Sequence, residues 1–162
     1  MAVLVLAVLS CSKDDPDNPN NTVPDPEGTI TANITGHDNN SITPQVSGKT
    51  IGQIKWCSPD NFYISGYGSK ASICNVGVMK GLGNITRIPT SGYTAPSYNN
   101  YETACEQGHG YVVKFEQFEW QNGEYVSVGE YVYVRLYVVE PIVSTAGGIM
   151  GAKVKYQFPF EP

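Results

Sequence analysis

The feature that most constrains the fold of this chain is the regular alternation of its apolar residues, which is clearest at residues 131–138. One alternate set is aliphatic: Val132, Val134, Leu136 and Val138. The other set is Tyr131, Tyr133, Arg135 and Tyr137. Successive side chains of a strand point to opposite faces, so this pattern predicts a strand with its aliphatic set in the core.

Similar short segments recur along the chain and are separated by Gly, Pro and Asn. We expect strands, in addition to the one at 131–139, at residues 29–35, 49–56, 61–65, 72–80, 84–88, 110–120, 124–128 and 149–158. Asn122-Gly123 suits a tight hairpin turn, because both residues tolerate positive φ. No apolar repeat has helical spacing. The pattern predicts one all-β domain over residues 28–162, an antiparallel β-sandwich or Greek-key barrel that is immunoglobulin-like in the broad sense.

The N-terminus begins with an apolar run, residues 2–9, that ends in Ser10 and Cys11. It is too short to cross a bilayer, which takes roughly 20 residues, and is typical of a signal-peptide core. The quartet Val8-Leu9-Ser10-Cys11 resembles the lipobox of bacterial lipoproteins. That resemblance implies cleavage after residue 10 and lipidation of Cys11, which would anchor the chain in a membrane. The alternative is an N-terminal core strand with a chance cysteine.

Residues 11–27 predict a disordered acidic tether, since they contain four prolines and few apolar side chains. The Lys13-Asp14-Asp15 start resembles the acidic export signal of lipoproteins in Bacteroidetes-type bacteria. It implies an outer-membrane lipoprotein on the cell surface, with periplasm-facing retention as the alternative. Residues 12–27 have a net charge of −4 and residues 28–162 of only −1. A domain with so little net charge is not expected to bind nucleic acid.

The Tyr-rich segment at residues 92–101 is the first candidate for a ligand site. Its candidate side chains are Tyr93, Tyr98, Asn99, Asn100 and Tyr101. Aromatic faces beside amides and hydroxyls suit a glycan, and Tyr and Asn also form adaptable protein-binding loops. The alternative is a surface loop held down by its tyrosines. A secondary candidate is the face of Tyr131, Tyr133, Arg135 and Tyr137, where arginine could stack on aromatic rings. Its alternative is an ordinary outer sheet face covered by neighbouring side chains.

Catalytic chemistry has little support in the sequence. Cys105 and His109 are a thiol and an imidazole four residues apart, but a turn feeding a strand does not bring such groups together as a helix would. We therefore predict no enzyme, no cofactor and no metal site. Cys57, Cys74 and Cys105 could include one disulfide in an exported protein, or could be buried thiols.

Several turn motifs resemble a family of uncharacterised lipoproteins, a domain of unknown function, from gut Bacteroidetes. They are Asn61-Phe62-Tyr63, Gly81-Leu82-Gly83-Asn84-Ile85, residues 88–93 (Ile-Pro-Thr-Ser-Gly-Tyr) and residues 108–113 (Gly-His-Gly-Tyr-Val-Val). The resemblance implies a secreted β-rich domain and brings no ligand or catalytic residue. We expect a surface-presented, non-enzymatic binding module for a glycan or a protein. The alternatives are a structural or assembly component of a cell-envelope complex and, third, a small Cys/His hydrolase.

Overall fold

The computed structural model describes residues 23–57, 60–67, 70–95 and 103–162. The strands within them are β1 (Ile30–Thr35), β2 (Gln45–Val46), β3 (Lys49–Thr50), β4 (Gly52–Cys57), β5 (Asn61–Gly66), β6 (Ala71–Val78), β7 (His109–Gln121), β8 (Glu124–Val143) and β9 (Ile149–Gln157). Two short 3₁₀ turns, Asp38–Asn40 and Leu82–Asn84, complete the regular structure of the described residues. The predicted signal peptide, Cys11 and residues 12–22 of the predicted tether lie outside the described residues.

The main element is a five-stranded antiparallel sheet with the order β1-β9-β8-β7-β6. Strands β6 to β9 form a meander, and β1 pairs with β9 at one edge. Strands β4 and β5 form a separate hairpin, as do β2 and β3. The sheet remains open because β1 and β6 are at opposite edges, so the fold is the predicted all-β sandwich-like arrangement rather than a closed barrel.

The sheet has two faces, which we call the first and the second face. The first face packs against the β4–β5 hairpin through side chains such as Ile54, Trp56, Phe62 and Ile64. The predicted aliphatic set of β8 lies on this face: Val134, Leu136 and Val138 are buried, and Val132 packs against the same cluster. This confirms the face assignment made from the alternation. Burial of an aliphatic or aromatic side chain contributes about 1.5–3 kcal/mol, so this cluster is the main source of stability.

The hairpin predicted at Asn122-Gly123 is confirmed. Both residues have positive φ, 52° and 91°, as a turn that matches the twist of the flanking strands requires. The strands predicted separately at 124–128 and 131–139 are one strand, β8, with an irregular register opposite residues 116–118. Gly129 adopts a φ of 74° at that irregularity and allows the strand to continue past it.

The strand predicted at residues 84–88 is wrong. The chain there leaves the Leu82–Asn84 turn and crosses the second face of the sheet. Leu82 and Ile85 are buried against Val112 and Phe160, so their apolar character reflects contact with the sheet rather than a place in it. Likewise, the strand predicted at 49–56 is divided into β3 and β4 at Ile51, whose N–H donates to the Pro44 carbonyl.

Candidate functional site

The Tyr/Arg face of β8 belongs to the second face of the sheet, and most of it is covered. Tyr133 and Tyr137 pack against a cluster formed by Leu82, Ile85, Val112 and Phe160. Arg135 is only 8% exposed, whereas Tyr131 is 44% exposed. The four side chains therefore do not form one continuous open surface.

Arg135 contacts several of the segments that cover the second face of the sheet. Its Nη1 donates to the Ile85 carbonyl at 2.6 Å and its Nε donates to Gln157 Oε1 at 2.7 Å. The guanidinium carbon lies 4.7 Å from the centre of the Phe160 ring, so the arginine stacks on a phenylalanine rather than on the neighbouring tyrosines. Burial lowers the pKa of Arg135 from its ordinary value. These contacts join β8, β9, the segment after the 3₁₀ turn and the C-terminus.

Residues 23–27, the described part of the predicted tether, also contact the domain. Asp25 pairs with Lys155 at 2.5 Å, and the Glu27 carbonyl accepts from Gln157 Nε2 at 2.7 Å. A side chain added at Gly83 would overlap the Pro24 carbonyl oxygen. The segment therefore runs from the Leu82–Asn84 turn across β9 to the start of β1.

Only one of the five candidate residues of the Tyr-rich segment, Tyr93, is described. Tyr98, Asn99, Asn100 and Tyr101 lie outside the described residues. The Tyr93 ring packs on the second-face cluster, and Lys114 Nζ lies 4.5 Å from its centre and 5.1 Å from that of Tyr131. Burial, with a smaller contribution from Tyr133, raises the pKa of Tyr93 well above its ordinary value. The next residue, Thr94, pairs with Ile73 of β6, so the segment starts at the sheet edge.

A cleft of about 640 Å³, which we call the β6 cleft, lies between β6 and residues 84–91. Its polar lining comes from Asn75, Asn84, Thr86, Arg87, Thr90 and Ser91. Its apolar lining comes from Cys74, Val76, Met79, Ile85, Ile88 and Pro89. Ligand sites are commonly concave, of 300–1,000 Å³, and combine apolar walls with a few polar groups. The β6 cleft meets each of these criteria.

Two polar groups at this cleft are notable. Asn84 Oδ1 is buried and has no hydrogen-bond partner within the described residues. The Cys74 thiol lies 3.6 Å from the Ser91 carbonyl oxygen, and burial raises its pKa. A buried acceptor without a partner costs about 1–3 kcal/mol of free energy, so the Asn84 side chain is not fully satisfied in this position.

A second cleft of about 380 Å³ opens on the first face, beside Trp56. Asp60, Cys105 and Glu106 line it, together with residues of β8 and β9. Burial, with a smaller contribution from Asp60, raises the pKa of the Cys105 thiol to about 12. A nucleophilic cysteine needs a lowered pKa, so this environment disfavours the thiolate.

His109 belongs to a polar cluster at the sheet edge between the two clefts. Its Nδ1 lies 3.2 Å from Glu106 Oε2 and 3.2 Å from the Asn75 side-chain amide. Asn75 Nδ2 also donates to Glu106 at 3.3 Å. The Glu106 N–H donates to Tyr111 Oη at 3.0 Å, and that hydroxyl donates to the Ala104 carbonyl at 2.7 Å. These bonds hold the segment that carries Cys105 against the sheet.

Three further findings concern the described residues. Cys57, Cys74 and Cys105 are free thiols, so the possible disulfide among them is not formed. No group of three or more His, Cys, Asp or Glu side chains within these residues is placed to hold a metal ion. In the same part of the chain, no helix has the length and apolar character needed to cross a membrane.

Comparison with protein-family models, with curated proteins and with solved structures gave no match.

The sequence reasoning did not identify the β6 cleft, although it selected the Tyr-rich segment that follows directly after the cleft wall. The signal for it is the composition of residues 84–91, where Asn, Thr, Arg and Ser are mixed with Ile and Pro. Residues 84–88 of this segment have the local pattern of a strand. The segment is instead a wall that has one apolar side on the sheet and one polar side toward solvent.

Proposed function

We propose that this chain is a non-enzymatic, lipid-anchored binding module that presents the β6 cleft at the cell surface and binds a glycan there. The observation that carries the proposal is the cleft itself: about 640 Å³, with amide, hydroxyl and guanidinium groups on apolar walls. Glycans present hydroxyls that both donate and accept, together with apolar C–H faces. A lining of this mixed chemistry suits them better than it suits a purely apolar ligand.

Three features support a glycan over other small ligands. The lining contains one charged side chain, Arg87, and its other polar side chains are neutral amides and hydroxyls, which match the hydroxyls of a sugar. Asn84 lines the cleft, and because its Oδ1 is buried without a partner, its amide would gain a hydrogen bond by turning toward a sugar hydroxyl. The Tyr-rich segment continues from the same wall through Thr94, so its tyrosines follow the cleft in the chain.

The raised pKa of Cys105 supports a non-enzymatic function, because a thiol with a pKa of about 12 is protonated at neutral pH. His109 Nδ1 is already engaged by Glu106 and Asn75, which further disfavours its use as a base for Cys105.

The test is a glycan array probed with the full chain, followed by titration of the best glycan against two variants. Arg87→Ala removes the charged group of the cleft. Lys49→Ala, the matched control, removes an exposed charge from β3. We expect Arg87→Ala to raise the dissociation constant at least tenfold and Lys49→Ala to change it less than twofold. Absence of any glycan binding, or equal affinity in both variants, would contradict the proposal.

A further inference from the structure

The β7–β8 hairpin extends beyond the rest of the sheet as a two-stranded arm, the β7–β8 ribbon (residues 116–131). On one side, the last pair between β6 and β7 is Ala71 with Phe115. On the other side, the first pair between β8 and β9 is Arg135 with Gln157. At roughly 3.4 Å per residue, the six residues 116–121 of β7 reach about 20 Å past the last pair with β6. The ribbon is therefore flanked by no strand of the described residues.

The base of the ribbon is held in a defined direction. Ser127 Oγ donates to Glu116 Oε1 at 2.5 Å and accepts from the Gly129 N–H at 3.2 Å. These bonds lie at the register irregularity between residues 116 and 118, where they join β7 to β8. A binding element that is already ordered loses less conformational entropy on association.

The ribbon exposes apolar side chains that a free surface arm does not need. Trp120 is 63% exposed and Val126 is 42% exposed, and Val128 is exposed as well. Trp120 is paired in register with Tyr125 across the hairpin. Exposed tryptophan is characteristic of interaction sites, where it often contributes a large share of the binding energy.

The charged side chains of the ribbon are all negative at neutral pH. Residues 116–130 contain four glutamates and no lysine or arginine. Glu119, Glu124 and Glu130 are exposed. The nearest preceding cation, Lys114, is placed over the rings of Tyr93 and Tyr131 on the second face. An anionic surface of this kind attracts cations and repels anionic lipid, nucleic acid and a second copy of itself.

We propose that the β7–β8 ribbon is a docking arm for a protein segment that carries arginine or lysine among apolar residues. The register places Glu119, Glu124 and Val126 on one face of the ribbon and Trp120 on the other. An extended segment paired with an open edge of the ribbon presents its successive side chains to these two faces in turn, so its cations meet the carboxylates and its apolar side chains meet Trp120. Arginine suits the carboxylates best because its planar guanidinium can pair with one through two hydrogen bonds. This interaction is independent of the glycan proposed for the β6 cleft.

The test uses the ¹⁵N-labelled full chain and a twelve-residue peptide of alternating arginine and valine. The chain contains two tryptophans, so two indole N–H signals report separately on exposed Trp120 and buried Trp56. Trp120→Phe assigns the two signals. We expect saturable shifts of the Trp120 indole and the Gly123 amide, with the Trp56 indole unchanged. A matched peptide of alternating glutamate and valine is expected to cause no shift.

Two double variants separate a docking arm from bulk charge. Glu119→Gln with Glu124→Gln removes two charges from the ribbon, and Glu27→Gln with Glu161→Gln removes two exposed charges elsewhere. We expect the first pair to weaken peptide binding at least tenfold and the second less than twofold. Trp120→Ala is expected to weaken it similarly, in a chain whose amide spectrum stays dispersed.

Several outcomes would overturn the proposal. They are no binding of the basic peptide, equal weakening by both double variants, or equal binding of the acidic peptide. Tighter binding to phosphatidylglycerol vesicles would identify a membrane contact instead. Shifts at Trp120 that depend only on the concentration of the chain would identify self-association.

Discussion

Arg135 lies near the middle of the second face. There, two hydrogen-bond acceptors and an aromatic ring take the place of the water that would hydrate an exposed guanidinium. The acceptors, the Ile85 carbonyl and Gln157 Oε1, belong to different segments of the chain. A planar guanidinium reaches both acceptors from Nη1 and Nε while its face stacks on Phe160. The residue therefore connects the cleft wall to the sheet, which gives it a structural role.

Arg135→Lys is expected to destabilise the domain by about 1–3 kcal/mol, because an ammonium keeps the charge but loses one hydrogen bond and the stacking. The matched control is Lys153→Arg, an exchange of cation type at the exposed Lys153–Glu140 pair. That control is expected to stay within about 0.5 kcal/mol of wild type. Urea unfolding followed by far-UV circular dichroism measures both. Equal stability of Arg135→Lys and wild type would show that the buried contacts contribute nothing.

At the scale of elements, the β4–β5 hairpin depends on close approach to the sheet. Gly52 is buried at the start of β4, and a Cβ there would overlap the Phe115 ring and the Ser65 carbonyl oxygen. The ring belongs to β7 and the carbonyl to the partner strand β5, so neither is free to move aside. Only glycine allows the hairpin to lie flat on the first face at this point.

Gly52→Ala is therefore expected to cost about 1–3 kcal/mol through overpacking at the interface between hairpin and sheet. Gly148→Ala is the control, because the nearest atom to its added Cβ is Ser144 Oγ at 3.7 Å. We expect the control to change the free energy of unfolding by less than about 0.5 kcal/mol. Thermal and urea unfolding give the two values. A Gly52→Ala chain as stable as the control would mean that the hairpin is not packed as described.

Much of the element order follows from local patterns, and the exceptions have physical reasons. The hairpin at Asn122-Gly123 and the buried aliphatic set of β8 depend on neighbouring residues alone, so they could be predicted. Residues 84–88 resemble a strand locally, yet Ile85 is buried against Val112 and Phe160, which are far away in sequence. The β6 cleft could not be predicted for the same reason, since β6 and residues 84–91 form its walls together.

At the scale of the whole molecule, the second face is covered by segments from three parts of the chain. Residues 23–27, the segment after the Leu82–Asn84 turn and the C-terminal Phe160 all meet there. The β6 cleft lies at one edge of this cover, and the β7–β8 ribbon extends from the sheet. The proposed lipid anchor at Cys11 lies twelve residues before Val23 in the sequence, where the described contacts with the domain begin.

The proposed anchor predicts the behaviour of Cys11→Ser. Because the acylated cysteine would be the membrane attachment, we expect the variant to move from the detergent phase to the aqueous phase in Triton X-114 partition of cells. Cys57→Ser, which alters a cysteine within the domain, is the control and is expected to stay in the detergent phase. Protease added to intact cells then reports orientation, with digestion expected for outward presentation and protection for a periplasm-facing anchor. Retention of Cys11→Ser in the detergent phase would argue against the lipid site.

The sequence by itself determined the all-β class, most strand positions, the Asn122-Gly123 turn and the face of β8 that forms the core. These follow from a period of two residues and from turn preferences, which are local properties of the backbone. Only the tertiary structure decided that Arg135 is buried, that residues 84–91 form a cleft wall and that the β7–β8 hairpin extends past its neighbours. Each of these depends on which distant segments meet: the hydrogen bond from Arg135 to Ile85 joins residues 50 apart. An alternating pattern indicates which side chains share each face of a strand, but the segments that cover each face come from the rest of the chain.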